Sequence, residues 1–148
     1  MTKEENIKEI DEAIYAGNRA LNALNEAQNN LSVARGMGIW DILGGGLISG
    51  VIKHSKMGAA QRCMEQAERE LASFQRELAD VKMNANYRID FDGLSKFLDL
   101  VFDNFLVDLL IQSRIKEVQE RVSRVKMQVE QTINNLYQMR SDIERTYV

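Results

Sequence analysis

The chain of 148 residues has no proline and one residue each of cysteine, tryptophan and histidine. Without proline, nothing in the covalent chain removes a backbone donor or forces a helix to kink, which fits a chain built mainly from long helices. A lone cysteine excludes an intrachain disulfide framework and a cysteine zinc cluster, so a reducing, cytoplasmic setting is expected. A long uncharged apolar run is also missing. The start, MTKEENIKEIDEAI, is charged and helical in pattern, without the apolar core and small-residue cleavage site of a secretion signal.

The remaining composition is that of a foldable globular mixture, 45% apolar and 28% charged, of about one domain in length. A formal net charge of −3 argues against nucleic acid as a partner, because phosphate recognition needs a basic surface.

Apolar or small residues recur at alternating steps of three and four at Ile7, Ile10, Ile14, Gly17, Leu21, Leu24, Gln28 and Leu31. Thr2 and Glu5 form a capping-box pattern, so a helix is expected from about residue 3 to about residue 34. Gly17 either admits a close neighbour or weakens the helix by about 1 kcal/mol, and the second reading is preferred. Gln28 is read as a partly exposed rim position rather than a buried polar group setting register.

A second seam, Met57, Ala60, Met64, Ala67, Leu71, Phe74, Leu78, Val81 and Ala85, keeps the same spacing. It predicts a helix from about 58 to 85, packed antiparallel on the first as a coiled-coil-like hairpin roughly 45 Å long. Between 86 and 93, Tyr87, Ile89 and Phe91 alternate with Arg88, Asp90 and Asp92, which reads as an extended connector or an edge strand pairing with a second subunit. Aligning Gly93 with an EF-hand glycine puts Asp90, Asp92 and Asp99 at ligand positions. Arg88 then falls on the first ligand position, so calcium is disfavoured and Asp92 is read as an N-cap.

Residues 94 to 111, LSKFLDLVFDNFLVDLLI, are the most apolar part of the chain, yet Asp99, Asp103 and Asp108 make a membrane span unattractive. A helix this apolar must be covered on more than one side, which predicts a homodimer or higher homo-oligomer. A last seam runs through Ile115, Val118, Val122, Val125 and Val129, then slips to Ile133, Leu136, Met139 and Ile143. The slip reads as a local stutter, and residues 94–146 form one helix or two joined near Gln112–Arg114. The expected fold is all-α, a single helical domain with an antiparallel hairpin and one or two further long helices packed as a bundle.

Seven of the nine glycines, with the Trp and the His, fall in residues 36–58, GMGIWDILGGGLISGVIKHSKMG, read as a Gly-rich connector over 36–57. A connection this long is usually functional when it is too apolar for disorder. Its bland reading is a plug, in which Gly36 and Gly38 end the first helix and Ile39, Trp40, Ile42, Leu43, Leu47, Ile48, Val51 and Ile52 fold back. The triple glycine before Leu47, with Lys53 and His54 close behind, has an anion-site composition but lacks the GK[ST] ending of a P-loop. A lone His beside Ser55 and Asp41 is no triad, and no metal-ligand spacing occurs, so no catalytic residue, metal or cofactor is assigned. Cys63 is read as a packing or flank residue.

Charge divides unevenly. Between Leu31 and Cys63, Arg35, Lys53, Lys56 and Arg62 oppose Asp41, a net of +3, whereas residues 88–110 hold five aspartates against Arg88 and Lys96, a net of −3. A basic tip on an acidic protein suits an acidic partner, an anionic membrane surface or the acidic helix of its own fold.

In WDILGGGLISGVIKHS, residues Trp40, Asp41, Gly44, Gly45, Gly46, Lys53 and His54 carry a pattern close to WDxxGGGxxxxxxKH. There the chain resembles a family of small uncharacterised helical bacterial proteins. The likeness covers less than a fifth of the chain and implies a defined element without supplying a reaction. These seven residues are the candidate ligand- or partner-binding site. Three functions follow: a non-enzymatic helical interaction or scaffold protein; a peripheral membrane-active protein using the apolar tip; and phosphate or small-ligand binding at the glycines.

Overall fold

Thr2 starts the first helix by satisfying amides that would otherwise lack partners. The Glu5 amide donates to Thr2 Oγ1 at 3.1 Å, and the Thr2 amide donates to Glu5 Oε2 at 3.3 Å, the reciprocal pair of a capping box. In the computed structural model, α1 spans Lys3–Gly36, α2 spans Leu47–Asn84 and α3 spans Ile115–Thr146. Backbone is described for residues 2–36, 47–84 and 115–146, and side-chain surroundings for 2–32, 61–81 and 115–146. The described residues form an all-α bundle of three helices, and no strand occurs among them. The extended connector expected at 86–93, the helix expected over 94–114 and the calcium-like aspartates lie outside the described residues.

α1 is the central element, because both α2 and α3 pack on it. Cross-helix pairs set the directions. Asn30 meets Cys63, and Arg19 meets Glu70, so positions rise on α1 as they fall on α2. Likewise Gln28 meets Ser123 and Asp11 meets Arg140, which sets α3 antiparallel to α1 as well. The hairpin is therefore antiparallel, as the spacing predicted, and α2 and α3 run parallel to each other.

The seams read from the sequence form most of the core. Ile10, Ile14, Leu24 and Leu31 of α1, and Met64, Ala67, Leu71, Phe74, Leu78 and Val81 of α2, are buried. Burying an Ile, Leu, Val, Phe or Met side chain contributes about 1.5–3 kcal/mol, so these seams dominate the stability of the bundle. Gln28 sits half-buried at the rim, with Nε2 donating to Ser123 Oγ at 3.0 Å.

Four differences from the sequence reading have physical causes. First, Gly17 is a close-approach position, not simply a weak point. A Cβ there would lie 2.8 Å from Ile133 Cγ1 and 3.0 Å from Phe74 Cε1, so the missing side chain lets α2 and α3 converge on α1. Second, Ala13, Ala16, Ala20, Ala23 and Ala27 are all buried beside the expected seam. At about 100° per residue, the alanine edge and the seam together cover about half the helix, which a helix with two neighbours requires.

Third, α3 does not slip. Thr132 is 5% exposed and occupies the seam between Val129 and Leu136, so the three–four spacing continues unbroken from Ile115 to Ile143. Its hydroxyl donates to the Gln128 carbonyl at 2.8 Å, which satisfies the polar group in place and allows Thr to stand among apolar residues. Ile133 is then an additional buried residue, placed over Gly17. Fourth, α2 begins at Leu47, eleven residues before the expected start at 58. Leu47, Ile48, Val51 and Ile52 follow helical spacing, and Gly50 and Gly58 cost only about 1 kcal/mol each, too little to stop propagation.

Candidate functional site

Of the seven candidate residues, Trp40, Asp41, Gly44, Gly45 and Gly46 lie outside the described residues. Lys53 and His54 belong to α2, less than two turns from its start. α2 starts at Leu47, the residue that follows Gly46 in the sequence.

Register places that start beyond the described ends of its neighbours. Gly17 meets Phe74, Arg19 meets Glu70 and Asn30 meets Cys63; continued along both helices, this register sets Gly36, the last residue of α1, opposite about residue 55 of α2. Ile115, the first residue of α3, falls at the same level, because Gly17 also meets Ile133. Residues 47–54 of α2 therefore overhang the described ends of both partners by about two turns, roughly 12 Å at 1.5 Å per residue.

The other end of the bundle is acidic. The first turns of α1 carry Glu4, Glu5, Glu9, Asp11 and Glu12, and the last turns of α2 carry Glu77 and Asp80. Carboxylates of Glu9, Glu12 and Glu77 come within 4.8 Å of one another across the two helices. Burial pushes the Glu77 carboxyl above the ordinary carboxylate range, the charges of Glu12, Asp80 and Glu9 push it further, and Arg76 opposes them. The Lys8 ammonium reaches Glu12 only at 4.0 Å, so it compensates this crowding weakly.

Alongside the trio runs an open surface groove of about 590 Å³. It is lined from α1 by Ile7, Asp11, Tyr15, Ala16 and Arg19 and from α2 by Ser73 and Glu77. The Tyr15 ring is 66% exposed, and the Arg19 guanidinium lies 5.8 Å from its centroid. Arg19 also donates from Nη2 to Glu70 Oε1 at 2.9 Å, and Gln66 Nε2 donates to the same oxygen at 2.8 Å. Glu70 is 8% exposed, so this charge is held in the interface by partners from both helices.

Cys63 packs partly buried against the core and accepts from Asn30 Nδ2 at 3.2 Å. Burial, then the charge of Glu26, raises the thiol above its ordinary range against the opposing pull of Arg62, so the thiolate is disfavoured.

The sequence reading missed the acidic trio and the groove. Glu9 and Glu12, three residues apart on one helix, signalled half of the trio, but Glu77 joins them only through the pairing of α1 with α2. Among the described residues, no helix is long and apolar enough to cross a membrane. Comparison with protein-family models, curated proteins and solved structures finds no match to this chain.

Proposed function

We propose that the chain is a non-enzymatic helical interaction or scaffold protein of the cytoplasm that acts as a homo-oligomer through the Gly-rich end of its bundle. The observation that supports this reading most is the overhang of α2. Three helices bury their seams against one another, while residues 47–54 extend past the described ends of both neighbours. A helix start with four apolar residues on one arc gains by burying that arc against another surface. The apolar stretch 94–111 adds sequence support for contact with further protein. The test is the melting temperature of the full chain across a wide concentration range. Oligomerisation predicts a rising midpoint with concentration, and a constant midpoint with a monomeric mass would sink this reading.

The same arc supports a second reading, in which residues 39–52 lie at an anionic lipid interface. Flotation with anionic vesicles, with and without Trp40→Ala, separates the two. Association that depends on Trp40 favours the membrane, and no association leaves the protein partner.

A further inference from the structure

One row of side chains on α1 and one on α3 match each other position by position with the charges reversed. On α1, Glu4, Lys8, Glu12 and Tyr15 follow steps of four, four and three, and on α3, Lys116, Glu120, Arg124 and Met127 follow the same steps. All eight residues are exposed. We infer that the chain associates with a second copy of itself, the α1 row of one copy lying along the α3 row of the next with the two helices parallel.

In that alignment Glu4 faces Lys116, Lys8 faces Glu120 and Glu12 faces Arg124, three pairs of opposite sign. Tyr15 then faces Met127. These are the two most exposed large apolar residues among the described residues, at 66% and 67%, and a thioether against an aromatic ring is a favourable contact. The α1 row lines the groove of about 590 Å³, while Lys116, Glu120 and Arg124 line a second open hollow of about 340 Å³ on α3. Between the charged positions Ile7 faces Gln119 and Asp11 faces Ser123, so no like charges meet. Within the α1 row the charges satisfy each other poorly, since Lys8 reaches Glu12 only at 4.0 Å. Arg124 arrives where carboxylates of Glu9, Glu12 and Glu77 crowd within 4.8 Å, and its guanidinium relieves their repulsion. An antiparallel alignment would keep the charge matches but part Tyr15 from Met127, which favours the parallel one.

Within one copy α1 and α3 are antiparallel, so a parallel contact turns the second copy end over end. The α3 row begins beside Ile115, level with Gly36, and the α1 row lies at the acidic end. The contact thus joins the Gly36 end of one bundle to the acidic end of the next. Because the two faces differ, it is heterologous, and each copy keeps one free face of each kind until a ring closes. This inference rests on the homo-oligomeric reading above and specifies its geometry.

The experiment is sedimentation velocity on the full chain at low salt, with two charge-reversed variants, Glu4→Lys/Glu12→Lys and Lys116→Glu/Arg124→Glu. The wild type should associate as concentration rises, and added salt should weaken this. Each variant alone should associate at least about tenfold more weakly, because its own two rows then carry the same sign. An equimolar mixture should regain association, since the all-basic row of one variant meets the all-acidic row of the other. Circular dichroism of each variant confirms that these surface changes leave the helices folded. In a Cys63→Ser background, mixed Tyr15→Cys and Met127→Cys chains should form a disulfide-linked pair under mild oxidation. Wild-type oligomers insensitive to both variants would overturn the row contact while leaving oligomerisation standing. A wild type that stays monomeric overturns both. A mixture that does not regain association overturns the row contact, and absence of the cross-link overturns its parallel direction.

Discussion

Gly17 and Ile133 meet so closely that a Cβ on the glycine would lie 2.8 Å from Ile133 Cγ1 and 2.9 Å from Cδ1. The contact ties α1 to α3 at the level where Phe74 of α2 also arrives, so one absent side chain sets the spacing of all three helices.

Gly17→Ala is therefore expected to destabilise the protein, although alanine favours the helix by about 1 kcal/mol. Overpacking of this kind costs about 1–3 kcal/mol, so the net loss should be up to about 2 kcal/mol. Urea denaturation measures it. The double variant Gly17→Ala/Ile133→Ala should lose less than the sum of the singles, since the second change makes room for the first. Strict additivity would refute the contact.

Glu70 depends on Arg19 for its neutralisation inside the α1–α2 interface. Removing one partner of a buried pair costs about 3–5 kcal/mol, but Arg19 is half exposed and Gln66 also serves Glu70, so Arg19→Ala should cost about 1–2 kcal/mol. Arg19→Ala/Glu70→Gln should recover a good part of this loss in thermal and urea melts. No recovery would mean that Arg19 acts through its contact with Tyr15 instead.

The raised carboxyl of Glu77 makes stability depend on pH in a defined sense. With its folded pKa above the unfolded value, the native state holds more protons between the two, so stability falls as pH rises through that window. The penalty is fully present at neutral pH. Glu77→Gln should thus stabilise the chain at pH 7 by about 0.3–0.5 kcal/mol, the scale of like-charge contacts on helix surfaces. The gain should vanish on acidification below the carboxylate range. A gain independent of pH would exclude the charge explanation.

Cys63 should react with a disulfide reagent more slowly than a free thiol at pH 8, because burial and Glu26 disfavour its thiolate. Its rate should continue to rise above the ordinary thiol pKa. Glu26→Gln should accelerate the reaction at fixed pH, and an unchanged rate would place control in steric access alone.

The large apolar positions were legible in the sequence. Leu24, Leu71, Phe74, Val122 and Leu136 repeat at helical spacing, and residues of that size have few stable places outside a core. The smaller positions were not. Ala20 or Ala27 is equally at home exposed or buried, and Thr132 reads as polar until its hydroxyl is seen bonded to its own helix. Gly17 allowed two readings because the cost of glycine is visible in a helix, whereas its benefit belongs to the neighbour. In the candidate site, Lys53 and His54 are placed on a helix, and Trp40, Asp41, Gly44, Gly45 and Gly46 fall outside the described residues.

By itself, then, the sequence determined an all-α chain of long helices and the large apolar stripes they bury, since periodicity and side-chain volume act within a single segment. Tertiary structure alone decided that α1 takes both α2 and α3 as neighbours, that Gly17 is where Phe74 and Ile133 converge, and that Glu9, Glu12 and Glu77 share one surface. Those relations depend on register between segments far apart in the chain, and register is set by how side chains interlock across an interface.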